Sequence, residues 1–367
     1  MSGSLFIWIP VLLAAVWAAH WGAEHVAEPL KKLRQQWGFS VAAGGAFIGL
    51  AAASPEIGIN TTSAIRDVGD IGLGALLGSN VLAIPMMVVT AYLATRKKSI
   101  GSKGGHPDHE AHLREHRLQV DPQAVKIQAL PYLGIIALFA LLTLPAPWRG
   151  LQPLDGWILL IGYLVYLAQA LLRGRKEGEE VDWKRKEKWK AAAGVGALAV
   201  GAYFTVFSTE KIVSAIGLSK IIGGLFITAP IAALPEVFAT WYVARSGQVT
   251  SGVTSVIGDH TVTMTLAFIP LTIIGMPIEN MQLFSVMLAF VAIMPALYAA
   301  FIWWGGRGHG FQRWQIYALP AVYILFTALI LFWVQPFGQG SQGGSSGASS
   351  TQDQSQVSDQ GQDQSSN

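Results

Sequence analysis

No cysteine occurs among the 367 residues. That absence excludes disulfides, iron–sulfur ligation and thiol catalysis together. Charge is also scarce, at 13% of residues against 52% hydrophobic. The apolar residues come in long runs rather than in amphipathic stripes. Runs near 20 residues match the roughly 30 Å hydrocarbon core of a bilayer, so the chain reads as a polytopic membrane protein with lipid as its main partner. Neither a Walker motif nor an HExxH pattern is present, so nothing points to nucleotide-driven or zinc-hydrolytic chemistry, and no enzyme activity or cofactor is expected. The net charge of +3 lies in loops and is not read as nucleic-acid binding. The apolar start, Leu5 to Ala19, lacks the basic n-region of a signal peptide.

What the chain does have is a membrane-length segment, GLAAASPEIGINTTSAI (Gly49 to Ile65), with Pro55 and Glu56 in its middle. An ionisable side chain near a bilayer centre costs roughly 2.5 to 3.5 kcal/mol on insertion scales, so it faces a polar cavity and carries function. Pro55 removes a backbone N–H and frees carbonyl oxygens next to the acid. The same device returns at ITAPIAALPEVFATW, where Pro235 and Glu236 follow at an offset of 180 (236 minus 56). Gly44 and Gly224, Ala52 and Ala232, Ala53 and Ala233, Ala64 and Ala244, Gly72 and Gly252, and Gly78 and Gly258 keep that offset. A shared offset across two half-chains is an internal repeat.

The hydropathy pattern predicts an all-α protein of about ten transmembrane helices. The spans are expected from Leu5 to the mid-twenties, then at Val41–Ile65, Ile71–Leu93, Ile127–Leu144 and Trp157–Leu172, and in the second half at Ala191–Phe207, Ile221–Ala244, Ser251–Ile274, Phe284–Trp304 and Ile316–Val334. Residues 1–172 then form a first repeat, 173–190 a charged connector, 191–335 a second repeat, and 336–367 a Gly/Ser/Gln/Asp tail expected to be disordered. Of 25 Lys and Arg residues, 21 fall in loops after odd-numbered spans. The positive-inside rule puts those loops in the cytoplasm of a cell-membrane protein and both termini outside it. Five spans per half is an odd number, so the repeats are inserted in opposite orientation, as in many secondary transporters.

Twenty-two residues after each Glu comes a second motif, Gly78-Ser79-Asn80 in the first half and Gly258-Asp259-His260 in the second. Glu56, Glu236, Ser79, Asn80 and Asp259, with freed carbonyls, make a candidate all-oxygen cage. Hard divalent cations prefer oxygen ligands, and calcium accepts six to eight of them. Asn60 and Thr240 lie one helical turn after each Glu and share its face. Small polar residues at such positions line a pathway or bond between helices.

These residues, with the lead-ins GFSVAAGGAFIGLAAASPE and GLSKIIGGLFITAPIAALPE, resemble the calcium/cation antiporter superfamily, which includes sodium/calcium and proton/calcium exchangers. The resemblance covers about Leu5 to Val334. It implies two inverted repeats, Glu56 and Glu236 as central cation ligands, and Ser79 as a flanking one. It also implies transported Ca2+ with H+ or Na+ as counter-ion and no other cofactor. The chain departs from the sodium/calcium branch in having Ala52–Ala53 and Ala232–Ala233 where that branch has a Thr-Ser pair. Ala83 and Thr263 stand where it has Asn or Asp, and Asp259 where it has Ser. Thr263 stays among the candidate ligands. Fewer neutral oxygens and one more carboxylate favour protons as counter-ion, because crowded carboxylates in a low-dielectric site repel one another and exchange a proton for a divalent ion.

Alternatives remain at this point: monovalent Na+/H+ exchange on the same scaffold, an intramembrane enzyme using Asp259, and a channel or sensor. Glu24 and Glu28, one turn apart in the first span, flank an ion entrance or sit at the interface. His106, His109, His112 and His116 belong to a polar loop that is either simply solvated or a pH or metal sensor.

Overall fold

The computed structural model describes residues 2–37, 50–96, 113–122, 125–172, 180–247, 249–304 and 310–334. Its principal helices are α1 (Ser2–Gln36), α2 (Ser54–Ile65), α3 (Gly69–Ala94), α4 (Leu130–Thr143), α5 (Pro153–Leu172), α6 (Arg185–Ile216), α7 (Leu234–Arg245), α8 (Val249–Thr263), α9 (Met281–Trp304) and α10 (Arg313–Leu329). Among the described residues, seven helical stretches are long and apolar enough to cross a membrane. The apolar α4 and α5 and the short α2 complete an inverted arrangement of five helices and five. The start of the second expected span and the whole expected disordered tail lie outside the described residues.

Both Pro-Glu helices are made the same way. A proline at the second helical position forbids continuation from the preceding turn, and the chain breaks at the alanine two residues earlier. Ala53 has φ −77° and ψ −2°, and Ala233 has φ −75° and ψ −12°. Ser54 Oγ donates to the Ala51 carbonyl at 2.7 Å, one of the acceptors left at the first break. In the second half the approach to the break is further distorted. A short helix (Lys220–Gly223), a π turn (Gly224–Thr228) and one more turn (Ala229–Ala232) precede α7.

The hub is α3, buried along nearly its whole length. It packs on α2, α7, α8, α9, α10 and the Lys220–Ala232 run. The two halves close here on glycine: a Cβ on Gly224 would stand 2.7 Å from the Ala75 backbone nitrogen. Small residues at such crossings let backbones approach, since lipid offers no hydrophobic drive for helices to associate. A second interface joins α1 to α6, the first helices of the two repeats, where Ala15, Ala19 and Gly22 face Gly194, Leu198 and Gly201. This pair has more mutual contact than any other pair of elements.

Loops gather at two ends. At one, Lys32 pairs with Glu187, Trp183 Nε1 donates to Gln36 Oε1 at 3.1 Å, and Asp121 N donates to Thr250 Oγ1 at 3.2 Å. There too, strand β1 (Leu118–Gln119) pairs antiparallel with β2 (Gly310–Phe311). At the other, Arg66 meets Glu210 at 2.7 Å and Leu151 N donates to the Met276 carbonyl at 3.3 Å. Loops following odd-numbered spans thus share one end.

Several boundaries differ from expectation for local reasons. The first helix runs on to Gln36 rather than ending in the mid-twenties. The sixth begins at Arg185, inside the expected connector, because Glu187 Oε2 accepts from the Lys184 backbone N–H at 3.3 Å and starts a polar turn beyond the apolar run. The eighth span is not continuous. It stops at Thr263, turns, and resumes as a short helix at Ile269–Ile273.

Candidate functional site

Glu56, Asn60 and Ser63 fall at helical spacing on one face of α2 and are all buried. That face meets α3 at Gly72, where any side chain would collide with Asn60 Oδ1 and stand 3.0 Å from Ser63 Oγ. Ser79, on α3, donates its hydroxyl to the Leu76 carbonyl at 3.0 Å, which leaves its lone pairs free to accept. Glu56, Asn60 and Ser79, with Gly72 and Ala232 from the second repeat, line a cavity of about 10 Å³, roughly one water in capacity. Ala232 is one of the four alanines singled out in the sequence, and its side chain brings no oxygen to the cavity.

Asn60 Nδ2 donates to the Ala267 carbonyl at 2.8 Å. That carbonyl belongs to the irregular turn after α8, one of the freed backbone acceptors a broken helix supplies. The bond turns Asn60 Oδ1 the other way. At this site four buried oxygens lack a protein hydrogen-bond partner: Ser63 Oγ and the acceptors Glu56 Oε2, Asn60 Oδ1 and Asp259 Oδ1. Each unmet buried acceptor costs about 1–3 kcal/mol. Acceptor-only oxygens left in this way are what a hard cation needs and what a hydrogen-bonded core avoids.

The second repeat contributes a different arrangement. The carboxyls of Glu236 and Asp259 lie close to each other, and Glu56 lies within electrostatic reach of both. Two ionised carboxylates this close repel each other in a low-dielectric site, and a proton shared between them relieves the repulsion. Among the described residues, no three His, Asp or Glu side chains converge closely enough to hold a metal ion. A cation can use this pair only after the two carboxyls part and the proton leaves.

The remaining expected ligands are engaged elsewhere. Asn80 points away from Ser79, as neighbouring helical residues do, and its whole amide is used. Its Nδ2 donates to the Leu76 carbonyl at 2.8 Å and to Thr263 Oγ1 at 3.2 Å, while Tyr132 donates to its Oδ1 at 2.7 Å. Thr263 Oγ1 in turn donates to the His260 carbonyl at 3.0 Å. Thr240 Oγ1 lies 3.3 Å from the Gly252 carbonyl and 2.9 Å from Met87 Sδ. The structure therefore groups Glu56, Asn60 and Ser79 in one cavity and Glu236 with Asp259 beside it. Asn80, Thr263 and Thr240 sit in interhelical hydrogen bonds.

Three contributors escaped the sequence reading. Ser63 was legible as the next turn beyond Glu56 and Asn60. Tyr132 is a lone hydroxyl-bearing residue at the start of an aliphatic span, and its partner Asn80, 52 residues earlier on the preceding span, gave no signal. The Ala267 carbonyl depends on a helix break whose proline, Pro270 in the first turn of the resuming helix, has no carboxylate beside it and was passed over. Of the four-histidine loop, His106, His109 and His112 lie outside the described residues. His116 is described, and Arg96 Nη1 donates to its Nδ1 at 2.9 Å.

The profile of the family described as "Sodium/calcium exchanger protein" matches residues 7–172 and 189–332. Among solved structures, the sodium-calcium exchanger NCX_Mj soaked with Na+ and Sr2+ is 21% identical, with TM-score 0.57, over 88% of this chain and 98% of that one. The H+/Ca2+ exchanger CAX is 15% identical, with TM-score 0.64, over 90% of this chain and 81% of that one. At these identities the likeness is one of fold. No match was found among curated proteins.

Proposed function

The chain belongs to the sodium/calcium exchanger protein family, and from that premise we propose that it exchanges a divalent cation, calcium foremost, for protons across a cell membrane. The observation that carries the choice of proton is the closeness of the Glu236 and Asp259 carboxyls, with Glu56 in electrostatic reach. Paired in this way, the two groups share one proton in the absence of a cation and release it when the cation takes their oxygens. The unmet oxygens of Glu56, Asn60 and Asp259 support the cation half of the cycle. Sodium in place of protons is the second reading. The alanines at 52, 53, 232 and 233 count against it, since they remove neutral oxygens that suit a monovalent ion.

One cycle follows from these parts. Calcium entering the cavity meets Glu56 first, draws Glu236 and Asp259 apart, and the shared proton leaves to the side from which calcium came. Reprotonation from the opposite side rejoins the pair and expels the ion. Access switches when α1 and α6, held to each other by small residues, slide as a unit across α2 and the Lys220–Ala232 run. The shared end of the odd-numbered loops supports placing those loops in the cytoplasm and both termini outside. The division into repeats at 1–172 and 191–335 belongs to the same proposal.

The test is calcium flux in proteoliposomes under an imposed pH gradient or an imposed sodium gradient, with membrane potential clamped. Flux driven by pH alone and abolished by Glu56→Gln and by Glu236→Gln supports proton/calcium exchange. Flux driven only by sodium overturns the proton. Absence of calcium flux under both gradients overturns calcium and brings Na+/H+ exchange forward.

A further inference from the structure

The cavity at Glu56 is walled off from the end of the molecule that lies opposite the β1–β2 pair, the end proposed above to face away from the cytoplasm. Ile59, Val68, Ile71, Ala75, Ala202 and Val206 form one buried apolar cluster on that side. Ile59 and Ala75 also line the cavity, while Val68 and Ile71 stand at the turn from α2 into α3. The cluster therefore reaches from the cavity wall to the outer end. An apolar constriction of this kind keeps out water and hydrated ions until one of its walls moves away. Ala202 and Val206 are that wall, because they belong to α6, the helix whose sliding with α1 is proposed above.

The contact of α6 with α2 is smooth along most of its length. A Cβ on Gly58 would stand 2.9 Å from Ala202 Cβ, so the two backbones approach over small side chains. Among the described residues, every hydrogen bond from α2 or its cap to α6 comes from Arg66. Its Nη2 donates to Glu210 Oε2 at 2.7 Å and its Nη1 to Tyr203 Oη at 2.9 Å. The guanidinium carbon also lies 5.1 Å from the Tyr203 ring centroid and 4.9 Å from that of Phe207. The ion-paired side chains are only 21% and 26% exposed, which shields the pair from the screening that weakens surface salt bridges. Tyr203 and Glu210 are two turns apart on one face of α6. A slide of about one turn, roughly 5.4 Å, carries both partners past Arg66 together. We propose that Arg66 latches an outer gate: bound to Glu210 and Tyr203 it holds Ala202 and Val206 in the apolar plug, and its release opens the cavity to the non-cytoplasmic side. The latch rests on the sliding motion proposed above and is independent of which ions are exchanged.

Because the chain has no cysteine, Ala75→Cys supplies a lone thiol in the plug, at a position buried in the closed gate. The experiment measures how fast a membrane-impermeant cationic methanethiosulfonate labels that thiol, from outside in intact cells and from the cytoplasmic face in inverted vesicles. Adding Arg66→Gln or Glu210→Gln should raise the outside rate about tenfold, the scale of one hydrogen bond to a charged group. Tyr203→Phe should raise it about threefold, as for a weaker bond. The charge exchange Arg66→Glu/Glu210→Arg should return the rate most of the way to that of Ala75→Cys alone. An unchanged outside rate in both single variants, a rise equal on the two faces, or a charge exchange no better than Arg66→Gln would each overturn the latch. Labelling needs no flux, so a failure of calcium exchange in the liposome test is told apart from a failure of the gate.

Discussion

The two repeats of this chain carry the same Pro-Glu break, with alanines at nearly the same backbone angles, yet they arm it differently. In the first, Glu56 stands with Asn60 and Ser79 around a cavity, its Oε2 unpartnered. In the second, Glu236 stands close to Asp259, and Thr240, the counterpart of Asn60, is occupied by Gly252 and Met87. Where the first half has Ser79, the second has Asp259, and in the function proposed above that change supplies the carboxyl that shares the exchanged proton. Backbone symmetry builds the pathway, and side-chain asymmetry divides the labour within it.

The strongest way to break this comparison is to remove each glutamate in turn. Glu56→Gln and Glu236→Gln should each lower calcium flux by roughly 100-fold, the scale of losing one charged ligand interaction. They should fail differently. Equilibrium 45Ca binding to detergent-purified protein should be lost in Glu56→Gln, whereas Glu236→Gln should keep weak binding through Glu56 and Asp259. Equal loss in both would mean that the halves share one role.

Asp259 comes next. Asp259→Ser restores the residue symmetry with Ser79, and Asp259→Asn supplies a permanent donor to Glu236. Both remove the shared proton. We expect pH-driven flux to fall about tenfold, as for loss of one hydrogen bond to a charged group, while calcium still binds. The reversal potential, measured in liposomes at fixed calcium, should shift to one proton fewer per cycle. An unchanged proton count would place the exchanged proton on Glu56 instead.

A third comparison separates lining from bracing. Asn60→Ala should weaken apparent calcium affinity by roughly tenfold, because it deletes an unmet oxygen facing the cavity. Asn80→Ala should instead destabilise the protein by about 1–3 kcal/mol, since it leaves Tyr132 and Thr263 without their partner. A thermal melt in detergent reads the second, and calcium titration of flux reads the first. Tyr132→Phe, which removes only the donor, should fall between wild type and Asn80→Ala in the melt.

Much of this was written in the chain. The offset of 180 between Glu56 and Glu236, with its six glycine and alanine pairs, identifies two halves, and their odd span number requires inversion. Ser79 facing the cavity and Asn80 facing away also follow from helical period, although the sequence reading kept both as ligands. What could not be read depends on distance across helices. Whether Asp259 reaches Glu236, or pairs with its neighbour His260, is decided by how α8 leans on α7. The occupation of Asn80 by Tyr132 needs α4 docked on α3 and α8. The break after Thr263 is followed by Pro270 in the first turn of the resuming helix, but that proline does not say which carbonyl the break will turn toward Asn60. Membrane helices place their hydrophobic pattern in plain view, but their polar contacts are long-range and sparse, and a single sequence does not encode them as a period.

The smallest expected effect is the most exacting test of asymmetry. Thr240 occupies the position related by repeat to Asn60, and a symmetric ion path would use both. The structure instead spends the Thr240 hydroxyl between the Gly252 carbonyl and Met87 Sδ, at the crossing of α7 with α8 and α3. Thr240→Ala should therefore leave calcium affinity within about twofold of wild type and cost about 1 kcal/mol of stability, the worth of one buried hydrogen bond. Thr240→Val, which keeps the shape and loses the donor, should behave alike, because Met87 is a weak acceptor and the Gly252 carbonyl retains its helical partner. The double variant with Asn60→Ala should then be additive, since the two side chains share no partner. If Thr240→Ala instead weakens calcium as strongly as Asn60→Ala, the hydroxyl must swing into the path during the cycle. The second repeat would then offer the cation a neutral oxygen that its resting hydrogen bonds conceal.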